Sequence, residues 1–132
     1  MDGYLFQDDA SFHPGEVTVN LEFTASTAGA VPSTLTRRAG IKSVVLSGTG
    51  LYTINLLDGF VSCLDVSGYI KQASYDKTHA GKFVVTSDTV NGSTPSVALQ
   101  MQSTDGNGTS VALTSGDVLK VRLKLSREKG NG

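Results

Sequence analysis

The sequence predicts an all-β fold, an antiparallel β-sandwich of jelly-roll or related Greek-key type with an extended N-terminal arm. Three observations carry the β prediction. Apolar residues recur with period two: Val17, Val19, Leu21 and Phe23 alternate with Thr18, Asn20, Glu22 and Thr24, and Leu119, Val121, Leu123 and Leu125 alternate with Lys120, Arg122 and Lys124. That pattern marks strands with one dry and one wet face. Turn residues punctuate the alternating runs, at Gly48-Thr49-Gly50, "NGSTP" (91–95), "DGNG" (105–108) and Ser115-Gly116-Asp117, where glycine and asparagine supply dihedrals that other residues avoid. No stretch carries an i, i+3, i+4, i+7 stripe, so about eight short strands at even spacing are expected rather than helices.

Residues 1–14 read as an arm. "YLFQDDASFHP" sets Tyr4, Leu5, Phe6 and Phe12 among acidic residues, with Pro14 before the first strand; such a segment is expected to dock on its own domain or on a neighbour. The main domain spans 15–126. Its first strand, from Glu16, leads into "ASTAGAVPSTLTRRAG", and residues 25–40 read as a long loop or a second arm. Residues 41–57 form a hairpin about Gly48–Gly50, with Tyr52, Ile54 and Leu56 on one face of its second strand. A strand over about 61–73 is expected to turn Leu64, Val66 and Ile70 one way, and Gly68 inside it signals a bulge or a close crossing. "KFVVTSDTV" and "SVALQMQS" follow as strands, then a hairpin at 105–108, a short run through Val111 and Leu113, and the final strand. Residues 127–132 form a C-terminal tail.

With 132 residues the chain is one domain. Surface scaling lets it bury about two-thirds of its unfolded area, enough for one core without staples. Charged residues are only 17 % while Ser and Thr are plentiful, which suits exposed strand faces. A net charge of −1 gives no long-range attraction to nucleic acid or anionic membrane. The distribution is uneven: Asp2, Asp8, Asp9, Glu16 and Glu22 precede any basic residue, whereas Lys120, Arg122, Lys124, Arg127 and Lys129 crowd the end. The two ends are expected to attract each other, within a subunit or between subunits, or to be solvated faces that segregate by chance. The N-terminus lacks the pattern of a signal peptide and no run is long and apolar enough for a membrane helix, so cytoplasmic synthesis is expected.

Chemistry is not evident in the sequence. His13, His79 and the single Cys63 are too dispersed for a metal-binding pattern, and "DGNGTS" lacks the glycine at loop position six and the closing glutamate of a calcium loop. No nucleophile elbow occurs, and the paired Asp8-Asp9 lie on the arm rather than on a cleft wall. Lys120, Arg122 and Lys124 read as the wet face of an edge strand, where positive charge blocks aggregation. Trp is absent, leaving Tyr52, Tyr69 and Tyr75 as the material for any sugar-binding platform. No catalytic residue, cofactor or metal is expected, and the chain reads as a non-enzyme.

The segments "GIKSVVLSGTGLYTINLLDGF" and "STDGNGTSVALTSGDVLKVRLKLS" resemble small virion proteins of tailed bacteriophages, in particular head decoration (cement) proteins. The resemblance covers residues 40–70 and 96–126. It implies a homotrimer on the outer capsid surface that clamps neighbouring major capsid subunits, with no nucleic-acid or membrane partner. Contact residues expected on this basis are Tyr4, Leu5, Phe6 and Phe12 of the arm, Arg37 and Arg38 of the 25–40 segment, and Arg127 and Lys129 of the tail. A tail or head-fibre adaptor and a carbohydrate-binding module are the alternatives.

Overall fold

Alternation along the chain resolves into seven strands in the computed structural model, which describes residues 15–106 and 108–127. They are β1 (Glu16–Thr24), β2 (Ile41–Gly48), β3 (Leu51–Leu56), β4 (Ser62–Lys71), β5 (Ala80–Asp88), β6 (Ser96–Ser103) and β7 (Val118–Ser126). Two antiparallel sheets result, one of three strands in the order β1-β7-β4 and one of four in the order β2-β3-β6-β5. The expected phase holds: Val19, Leu21 and Phe23, then Tyr52, Ile54 and Leu56, then Val97, Leu99 and Met101, then Leu119 to Leu125 at every second position are all buried.

These side chains join one cluster fed by both sheets. Each fully buried large apolar side chain in it contributes about 1.5–3 kcal/mol. The rings of Phe23 on β1 and Tyr52 on β3 meet across the layers, 5.6 Å between centroids and tilted by 54°, a geometry that the aromatic quadrupole favours over face-to-face stacking. The hairpin of β2 and β3 turns at Thr49-Gly50, between the paired Gly48 and Leu51. Gly50 has φ +68°, and a Cβ there would stand 2.4 Å from the Val111 carbonyl oxygen.

Three expectations change. The basic ladder does not lie on an edge: β7 is the central strand of its sheet, paired with β1 on one side and β4 on the other. Alternation alone does not distinguish an edge from a centre when the outer face is solvated. Second, the run through Val111 and Leu113 is no strand; it makes a single bridge, Gln102 to Ser110, and one backbone bond from Val111 N to Met101 O. Leu113 is buried all the same, so the run carries apolar side chains for packing without ladder pairing. Third, a register shift between Cys63 and Asp65 takes Leu64 off the core face and leaves it 48 % exposed, while Val66 and Ile70 pack on the cluster.

Gly68 proves to be a close crossing. Its φ is +147°, and a Cβ would lie 2.0 Å from the Lys120 carbonyl oxygen. The 25–40 connection packs on the core through Ala25, Val31 and Leu35, and Glu22 exchanges backbone hydrogen bonds with Arg37. The arm, residues 1–14, lies outside the described residues.

Candidate interaction surfaces

The outer face of the three-stranded sheet gathers the charge. Cross-strand register sets Glu22 opposite Lys120, Asn20 opposite Arg122 and Thr18 opposite Lys124 on one side; Tyr69, Ser67 and Asp65 face the same three basic residues from β4. Glu16 meets Lys124 at 3.5 Å, and Glu22 meets Arg37 at 3.3 Å and Lys120 at 4.0 Å. Acidic and basic ends of the sequence therefore attract within one subunit at Glu16–Lys124 and Glu22–Lys120. Each exposed pair adds little stability, but together they set the surface potential. Lys120 also sits over the Tyr69 ring, 5.5 Å from its centroid, and the Tyr69 hydroxyl, followed by Glu22, raises the lysine pKa. Asn20, Glu22, Arg37, Tyr69, Lys120 and Arg122 line an open groove of about 590 Å³ over this sheet.

A second surface runs along β4 and β5. The two strands lie side by side at the open flank of the molecule without belonging to the same sheet. Phe83 and Val85 pair with the buried Met101 and Leu99, yet Val85 is 41 % exposed, β5 being an end strand of its sheet among the described residues. Leu64, Tyr69 and Val84 are exposed on the same two strands. A groove of about 250 Å³ between them is lined by Val66, Gly68, Tyr69, Lys82 and Phe83. Register shifts in both strands and the charges of Lys82 and Asp88 roughen these edges, as exposed edges require to resist indiscriminate pairing.

Of the expected contact residues, Arg37 joins the charged groove. Arg38 is exposed beside it, its carbonyl accepting from Ile41 N. Arg127 lies elsewhere, at the β7 end: its guanidinium is 3.7 Å from Asp58 and stacks over Phe60 at 5.2 Å. Tyr4, Leu5, Phe6, Phe12 and Lys129 lie outside the described residues. Sequence reading missed Glu22, Tyr69 and Arg122 as groove residues; strand pairing across about fifty to a hundred positions brings them together, and no local pattern signals it.

The residues considered for chemistry are also placed. Tyr52 is in the core, 1 % exposed, which removes it from any sugar platform. Among the described residues no group of three His, Cys, Asp or Glu is placed to hold a metal. Cys63 has its thiol pKa raised, by burial first and then by Asp88, which disfavours the reactive thiolate. His79 lies between Thr114 (Nδ1 to Oγ1, 3.4 Å) and Asp76 (Nε2 to Oδ2, 3.5 Å). The histidine and aspartate side chains are nearly half exposed, and the other Asp76 oxygen accepts from Thr78 N and Oγ1. These contacts fasten a loop and lack the enclosed setting in which a triad gains its power. Among the described residues no helix is long and apolar enough to cross a membrane.

Comparison with protein-family models, curated proteins and solved structures finds no match.

Proposed function

We propose that the chain is a structural virion protein, a head decoration protein that binds the outer surface of a tailed-phage capsid as a homotrimer and bridges major capsid subunits. The observation that carries this reading is the exposure of four large apolar side chains, Leu64, Tyr69, Val84 and Val85, on the neighbouring strands β4 and β5. Large apolar side chains left exposed on adjacent edge strands suit a contact with other proteins, and a closed cyclic trimer would cover such edges without leaving a sticky end. The two sheets are read as a sandwich wound as a Greek key. Support comes from the path: β5 lies beside β4, β6 pairs with β5, and β7 returns to pair with β4, so four consecutive strands follow the order 7-4-5-6.

In this reading the protein performs no catalysis. Tyr4, Leu5, Phe6 and Phe12 supply apolar anchors, each contributing at most about 1.5–3 kcal/mol before ordering costs; many weak contacts on one shell add through avidity. Two measurements test it: the subunit mass by native mass spectrometry, and sedimentation of the full chain with undecorated capsids against the chain lacking residues 1–14. Trimers, hundreds of copies per shell and loss of binding on truncation are expected. A monomer without affinity for shells overturns the reading.

A further inference from the structure

The charged groove over the three-stranded sheet has an excess of cations. Arg37, Lys120 and Arg122 face it against the single carboxylate of Glu22, and Glu22 is already engaged by Arg37 and Lys120. Arg122 stands in the middle of the face with uncharged cross-strand neighbours, Asn20 on β1 and Ser67 on β4. This arrangement suits a carboxylate-bearing segment, because a guanidinium holds carboxylates in paired, charge-assisted hydrogen bonds.

The chain itself carries such a segment. "MDGYLFQDDASFHP" has Asp2, Asp8 and Asp9 and no Lys or Arg. It joins the domain at Gly15, whose carbonyl accepts from Arg127 N at 2.7 Å and so fixes the pivot at the end of the sheet. Gly15 has φ +87° and follows a proline. A positive φ puts Gly15 in the turn-forming region that glycine favours, so the chain can change direction at this joint.

The distances agree. At about 3.3 Å per residue, the five steps from Gly15 to Asn20 along β1 cover about 17 Å, and the six steps back from Gly15 to Asp9 cover up to about 20 Å. A reversed segment therefore brings Asp8 and Asp9 level with Asn20 and Arg122. We propose that Asp8 and Asp9 of the same chain dock on the Arg122 groove, latching the amino-terminal segment across the outer face of its own sheet. The latch goes beyond the decoration reading: it concerns the free chain, and its test needs no capsid.

That test is chymotryptic cleavage of the full chain, following by mass only the cuts after Tyr4, Leu5, Phe6 and Phe12. Removing charge-assisted bonds raises the open population, so Asp8→Asn with Asp9→Asn is expected to speed these cuts about tenfold or more. Arg122→Glu is expected to do the same, and Arg122→Glu combined with Asp8→Lys and Asp9→Lys to restore protection. The aspartate variants lie outside the strands, so they report even if Arg122→Glu lowers the melting temperature. Rates unchanged by either substitution overturn the latch. Protection that grows with protein concentration also overturns it, assigning the groove to the segment of a second copy.

Discussion

The hydroxyl of Tyr52, on β3, donates a hydrogen bond to the carbonyl oxygen of Gly29 in the 25–40 connection. One side chain thus ties the four-stranded sheet to the loop that leaves β1. The loop adopts left-handed backbone at Ala28 (φ +59°) and Gly29 (φ +80°) to present that carbonyl. Tyr52→Phe keeps the ring and leaves the Gly29 oxygen unpaired, and is expected to cost about 1–3 kcal/mol in urea unfolding.

The same phenol sets an alkaline limit. Burial, and then the nearby Asp117, push the Tyr52 pKa up from 10.0 to about 12. A raised pKa means that the folded state holds its proton more tightly than the unfolded chain. The associated stability is present below pH 10 and is lost as pH climbs towards 12, on the order of 3 kcal/mol in total. Unfolding free energy measured between pH 9 and 12 is expected to fall steeply in the wild type and less steeply in Tyr52→Phe. Parallel curves refute the assignment.

Asp117 is a buried carboxylate, 2 % exposed, in the turn that enters β7. Its two oxygens accept from Ala73 N and Thr114 N, each at 2.9 Å, so it joins the end of β4 to the turn. Asp117→Ala strands both donors and is expected to cost about 2–4 kcal/mol. Asp117→Asn retains one acceptor and should fall between wild type and alanine. Equal losses for the two variants would show that charge, not the pair of hydrogen bonds, does the holding.

What could be read from the chain was the phase of each strand, since burying every second residue leaves a local signature. Val97, Leu99 and Met101, or Leu119 to Leu125, needed no knowledge of their partners. Pairing order left no such trace: Lys120, Arg122 and Lys124 alternate identically whether β7 is an edge or the centre. The Leu64 bulge escaped for the same reason, because one extra residue reverses the phase midway without altering composition. The acidic start was legible as material for ion pairs, which Glu16 and Glu22 make. The groove was not, since Glu22, Tyr69 and Arg122 converge only through long-range pairing.

Gly68 was legible as an anomaly and now has a cause. At φ +147°, with the Lys120 carbonyl oxygen 2.0 Å from any Cβ, Gly68→Ala must push β4 from β7. A cost on the order of 3 kcal/mol is expected, visible as a lower urea midpoint. Gly108, φ +104° with nothing within 4 Å of its Cβ position, is the control: alanine there carries only the backbone penalty and should cost distinctly less.

Leu123 is fully buried on the central strand between Val19 and Val66. Leu123→Asp places a carboxylate in the shared core, where desolvation costs several kcal/mol and the lost packing adds to it. Against a typical domain stability of about 5–15 kcal/mol, the variant is expected to be largely unfolded by circular dichroism at 25 °C. A cooperative melt near that of wild type would refute the placement of β7 in the core.

Variants on the β4–β5 flank can test the proposed assembly apart from folding. Val84 projects from the outer face of β5, opposite Gln100, and is 41 % exposed; Leu64 bulges from β4 and is 48 % exposed. Neither belongs to the buried cluster, so Val84→Glu with Leu64→Lys should change stability by only about 0.5 kcal/mol per site. If these two side chains close the proposed trimer, the double variant should melt like wild type yet run as a monomer in light scattering. A change of subunit mass without loss of stability is the informative outcome, because a core defect would move both. Should the variant retain the wild-type mass, Leu64 and Val84 do not form the subunit interface.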